Sequence, residues 1–102
     1  MLETYNKLVR DKIPQILDVK LVSYEKRIAS DDEYKAELIK KLVEETKEFA
    51  EAGSAEELAD VMEVMQALQA LPEYAGAEEL RQQKFEERGG FQERIILKGE
   101  KG

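Results

Sequence analysis

Four acidic side chains, Glu45, Glu48, Glu57 and Asp60, carry the spacing in this chain that could do chemistry. They form two pairs three residues apart, one on each side of Gly53. Glu48 lies five residues before that glycine and Glu57 four after it, while Glu45 lies eight before and Asp60 seven after. If both flanks are helices rising about 1.5 Å per residue, an antiparallel hairpin brings each pair nearly level. Four carboxylates facing one another repel, and a desolvated carboxylate is costly without a counter-charge. The chain has no histidine or cysteine, so the donor set is all oxygen. Such a set suits a hard cation, and about one or two Mg²⁺ ions are expected here, with Mn²⁺ as a substitute.

The elements that must position these groups are legible from hydrophobic spacing. Leu38, Ile39, Leu42, Val43 and Phe49 recur at helical intervals, as do Leu58, Val61, Met62, Val64, Met65, Leu68 and Leu71. Gly53 accepts the left-handed conformation that ends a helix, and Ser54 caps the next. Turning about 100° per residue puts Glu57 inside the second apolar arc, between Val64 and Leu68, with Asp60 at its edge. Glu45 falls near Leu38 and Phe49, and Glu48 one step further round. Glu44, Glu51, Glu56 and Glu63 point to solvent.

A plainer reading stands beside this one. With 38% of residues charged, acid pairs three apart recur by composition, and Glu48 with Glu51 or Asp60 with Glu63 are equal in form. The stretch from Ser54 to Glu57 is also a capping box, in which Glu57 reaches back to the Ser54 amide. A capped, solvated hairpin without a metal would produce the same strings.

At 102 residues the chain reads as one domain, 1–102, with a modest core. A net charge of −7 argues against a general nucleic-acid or anionic-membrane binder. The absence of cysteine and histidine excludes disulfides, thiolate chemistry and imidazole-based triads. No apolar run has the length of a membrane span and no signal-like segment opens the chain, so a cytoplasmic address is expected.

The N-terminal part clusters Lys7, Arg10 and Lys12 around Leu8 and Val9, which by itself reads as surface charge balance. Pro14 suits the first turn of a short helix from about Asp11 to Val19. Alternating residues predict a strand over 24–28, and the β-branched run Ile95-Ile96-Leu97 predicts another over 91–97, the two pairing as a small ribbon. A capping box from Ser30 to Glu33 starts a long helix ending near Ala52; the next ends around Pro72. A fourth spans about 77–88 and stops at Gly89-Gly90.

Three motifs in order carry a resemblance. Asn6-Lys-Leu-Val-Arg-Asp-Lys-Ile-Pro14, Glu44-Glu-Thr-Lys-Glu48 followed by Glu57-Leu-Ala-Asp60, and Lys84-Phe-Glu-Glu-Arg-Gly-Gly-Phe91 resemble the MazG-like, all-α nucleoside triphosphate pyrophosphohydrolases, in a compact form like the phosphoribosyl-ATP enzymes. The spacer of eight residues between Glu48 and Glu57 is shorter than many members show. The resemblance implies Mg²⁺-dependent cleavage between the α and β phosphates, giving the monophosphate and pyrophosphate. By match to the family, Glu45, Glu48, Glu57 and Asp60 would be metal ligands, and Lys84 and Arg88 would hold phosphate. Lys7, Arg10 and Lys12 acquire the same role, against the surface-balance reading. With no histidine present, a carboxylate must assist deprotonation; the sequence leaves open which one, and Glu48 is the first candidate with Glu45 beside it.

The expected architecture is all-α: an antiparallel helical hairpin core of four-helix-bundle type, with the two-stranded β ribbon, completed by association into a homodimer or larger homo-oligomer. The expected partner is a nucleoside triphosphate. Non-standard nucleotides, a deoxynucleotide such as dCTP or dUTP, and phosphoribosyl-ATP all fit, with nucleotide-pool house-cleaning as the broad role. A non-catalytic nucleotide- and metal-binding module is the alternative, and a purely structural oligomerisation module the third class. A di-iron bundle is disfavoured because its Glu-x-x-His pairs are absent.

Overall fold

The computed structural model describes residues 6–100. Among the described residues four helices follow one another: α1 over Ile13–Val19, α2 over Asp31–Ala52, α3 over Ala55–Gln69 and α4 over Ala77–Arg88, with a short 3₁₀ turn at Pro72–Tyr74. The main packing is between α2 and α3.

Local chemistry sets the bounds of that hairpin. Ser30 precedes α2 in an extended conformation, and its Oγ accepts from the Glu33 amide at 3.3 Å. Asp31, Asp32 and Glu33 place negative charge at the positive end of the helix dipole. At the other end Gly53 adopts φ 63°, and its N–H donates to the Phe49 carbonyl at 2.7 Å. Ser54 then caps α3, accepting from the Glu57 amide at 3.3 Å. Two residues therefore reverse the chain, as expected from the sequence, and both caps lie where the serines were read. In each box, however, only the serine half is made. The Glu33 carboxylate turns to Arg27, and Glu57 keeps an oxygen without any partner.

The core is small. Leu38 on α2 and Val61 and Val64 on α3 are the buried apolar residues among those described. Ile39, Val43, Leu58, Met62 and Met65 belong to the same helical stripes yet remain exposed. The radius of gyration is 18.4 Å, against about 13 Å for a compact chain of this length. The hairpin thus buries one seam of its apolar surface and presents the rest outward.

The β ribbon is not formed. No strand occurs among the described residues, so the fold is all-helical and the expected pairing of residues 24–28 with 91–97 is corrected. Both segments are occupied by local bonds instead. The Tyr24 hydroxyl donates to Asp18 at 2.7 Å, and Arg27 makes a two-point pair with Glu33, fixing the first segment between α1 and α2. In the second segment the Arg94 amide bonds back to the Phe91 carbonyl at 3.2 Å, a turn inside the expected strand. Ile95, Ile96 and Leu97 stay exposed. β-branched content favours a strand only where a neighbour supplies packing and ladder bonds, and closing that long loop costs entropy that short-range bonds avoid.

α1 begins at Ile13, with Lys12 at the N-cap position, close to the expected start near Asp11. Pro14 lies in its first turn, as read. Its end is unusual: Leu21 takes φ 58°, and the Leu21 and Val22 amides bond back to the Asp18 and Leu17 carbonyls at 3.1 and 3.0 Å. This is the doubly bonded C-terminal turn that glycine usually supplies. α3 ends at Gln69, before the expected limit near Pro72.

Candidate metal centre

α2 and α3 converge on three carboxylates. Glu45 projects from the middle of α2, Glu57 from the first turn of α3, and Asp60 from one turn further along. One oxygen of each lies within 4.8 Å of the others. This separation lets a single ion touch all three, and the cluster could hold a metal ion.

Burial separates the members. The Glu45 side chain is 13% exposed and that of Asp60 41%. Glu45 Oε2 and Glu57 Oε2 are buried without a hydrogen-bond partner. An unpaired buried carboxylate oxygen is costly, so these two atoms demand a cation or a proton. The Glu45 carboxyl accordingly titrates above its ordinary range. Burial is the main cause; the Glu48 charge, a hydrogen bond with the Glu48 carboxyl and the Asp60 charge add to it, and Lys41 opposes it.

Two cations touch the rim. Lys41, one turn before Glu45 on α2, places Nζ 3.5 Å from Glu45 Oε1. Arg10, from the segment before α1, places Nη2 2.7 Å from Asp60 Oδ1. No described ion pair reaches Glu57. The donors are three carboxylates, two with a spare buried oxygen, which fits a hard divalent cation better than a single organic cation. A comparison with family models, curated proteins and solved structures found no match to this chain.

The other sequence-derived candidates are dispersed. Glu48 is close enough to Glu45 to raise its pKa, but it is exposed and stands outside the group of three. Arg10 is brought to the cluster; Lys12 occupies the N-cap position of α1 without a capping bond from its side chain and is exposed, as is Lys7. Lys84 and Arg88 sit on α4, where every residue after Ala77 is exposed and which has no packing on α2 or α3 comparable to theirs on each other. Lys41 was not singled out from the sequence. Its signal was the lysine four residues before an acid predicted to face inward, a pairing too common in helices to stand out.

No described helix is long and apolar enough to cross a membrane.

Proposed function

We propose that this chain is a divalent-cation-dependent nucleoside triphosphate pyrophosphohydrolase, cutting between the α and β phosphates, with Mg²⁺ as the physiological ion and Mn²⁺ as a substitute. The observation that carries this reading is the pair of buried, unpartnered oxygens on Glu45 and Glu57 beside Asp60. The three motifs that resemble the MazG-like enzymes add to it, since they include these residues and the basic segments on either side.

In this reading Glu45, Glu57 and Asp60 hold the ion. When bound, the ion supplies charge neutralisation at the phosphoryl oxygens and acidifies an attacking water. Glu48, exposed beside Glu45, would be the carboxylate that takes up a proton from the attacking water. Arg10, Lys7 and Lys12 grip phosphate oxygens from the N-terminal side, and the cations of α4 from the other. Since α4 packs on the hairpin of its own chain far less than α2 and α3 pack on each other, Lys84 and Arg88 would reach a site through association of chains. The exposed stripe of Ile39, Val43, Met62 and Met65 is the surface on which a homodimer would close.

One observation favours the alternative of a metal- and nucleotide-binding module without turnover: the two cations of the C-terminal motif are not at the carboxylates within one chain. Pyrophosphate release separates the two. A panel of standard and modified nucleoside triphosphates, with Mg²⁺ or Mn²⁺, should release pyrophosphate only with metal, and Glu48→Gln should abolish it. Nucleotide binding with no release from any member, in folded metal-bound protein, would sink the enzyme reading in favour of the module.

A further inference from the structure

Arg10, a basic residue of the N-terminal motif, pairs with a member of the carboxylate group, and that contact joins two halves of the proposed site. Its guanidinium donates through Nη2 to Asp60 Oδ1 at 2.7 Å, across fifty positions of sequence. The pair is not buried: the side chains are 55% and 41% exposed. Arg10 lies two residues before the N-cap position of α1, its carbonyl accepting from the Ile13 amide at 3.0 Å, so the turn holds its backbone while its long, exposed side chain alone makes the reach to α3. Lys41 differs on both counts. It reaches Glu45 from within the same helix, and both side chains there are mostly covered.

We infer that Arg10 exchanges partners. Without metal it is the counter-ion of Asp60, and once Asp60 ligates a divalent cation Arg10 is released to bind the triphosphate. This rests on the proposed metal-dependent reaction and adds to it an order of binding, metal before nucleotide.

The physical case follows from charge and geometry. Asp60 has two oxygens, one engaged by a guanidinium in a setting open to water, where such a pair contributes little. A divalent cation held by Glu45 and Glu57 attracts the Asp60 carboxylate more strongly and repels the nearby guanidinium. A guanidinium is a rigid fork of donors matched to carboxylate and phosphate alike, so the same group serves both partners without a change of protonation. The triphosphate brings the negative charge that Arg10 loses when it leaves Asp60. A metal-free site therefore keeps Arg10 engaged away from nucleotide, and a loaded site presents it.

The test uses the full chain and two probes, Mn²⁺ alone and then inorganic tripolyphosphate on the Mn²⁺-loaded protein. Free Mn²⁺ is read by electron paramagnetic resonance and tripolyphosphate binding by calorimetry. Arg10→Gln should tighten Mn²⁺ binding by about 2- to 5-fold, the scale of an exposed ion pair. The same variant should weaken tripolyphosphate binding to the loaded protein by about tenfold, the scale of a lost charged hydrogen bond. Lys47→Gln removes a like charge from an exposed position two residues from Glu45, with no described ion pair, and should leave Mn²⁺ affinity within a factor of about 1.5, which separates partner exchange from a general field effect.

Mn²⁺ affinity that is unchanged or weaker in Arg10→Gln overturns the exchange while leaving the metal site intact. Equal tightening in both variants overturns it too, because charge alone would then account for the effect. Wild-type protein that binds no Mn²⁺ overturns the metal-dependent reaction itself. Circular dichroism of each variant confirms the helical fold; Arg10→Lys, which keeps the charge, should give Mn²⁺ affinity near that of the wild type.

Discussion

Glu45 and Glu57 come from consecutive helices and meet with one buried, unpartnered oxygen each. The α2–α3 turn creates the meeting, and the two oxygens it leaves uncompensated are where the proposed cation would act.

Divalent metal should stabilise the fold, because it binds the folded site and not the separated carboxylates of the unfolded chain. At about 100 times the dissociation constant the linkage is worth about 2.7 kcal/mol. Glu57→Gln should reverse the pattern, raising stability without metal by relieving repulsion and removing most of the stabilisation by Mg²⁺ or Mn²⁺. Thermal unfolding with and without metal reads both halves, and a variant stabilised by metal as much as the wild type would count against the site.

The pH dependence has a definite sign. The folded Glu45 carboxyl titrates above its ordinary value of 4.5, so the folded state binds the proton more tightly than the unfolded state. Its contribution is fully present below that ordinary value and is lost as pH rises through the raised one. Metal-free protein should therefore gain stability from this group as pH falls through that window. Glu45→Gln should flatten this part of the profile in urea denaturation, and saturating Mn²⁺ should oppose the gain, since protons and metal compete.

Gly53→Ala should cost about 1–2 kcal/mol, the strain of a left-handed alanine. Nothing lies within 4 Å of an added Cβ, so the cost is in the backbone alone. Chemical denaturation measures it, and a neutral result would mean that the turn relaxes.

Leu21 holds a left-handed conformation that glycine would adopt without strain, and it is 92% exposed, so little packing is at stake. Leu21→Gly should stabilise by up to about 1 kcal/mol, the relief exceeding the entropy lost by a glycine. Destabilisation would show that Leu21 is covered in the protein as it exists in solution.

Val43 is 64% exposed and Met62 56%, on the hairpin that forms the core. Light scattering should give a mass that is a multiple of 11.7 kDa, and Val43→Glu should shift it toward one chain. A wild-type protein that stays monomeric at working concentration would contradict association through this stripe.

The hairpin, its caps and the inward aim of Glu45, Glu57 and Asp60 were legible in the sequence because all are local. Ser30, Gly53 and Ser54 act on amides and carbonyls within a few residues, and helical rotation carries a face reliably over three or four turns. The antiparallel return then fixes which carboxylates stand level. What failed was the β ribbon, whose residues 24–28 and 91–97 depended on each other across the chain; near partners such as Asp18 and Glu33 claimed the first, and a turn interrupted the second. Only the tertiary structure decided that Glu48 stands outside the group of three, because one step of rotation at the edge of a seam separates covered from exposed. It alone joined Arg10 to Asp60, since nothing in the spacing of two residues fifty positions apart says that they meet.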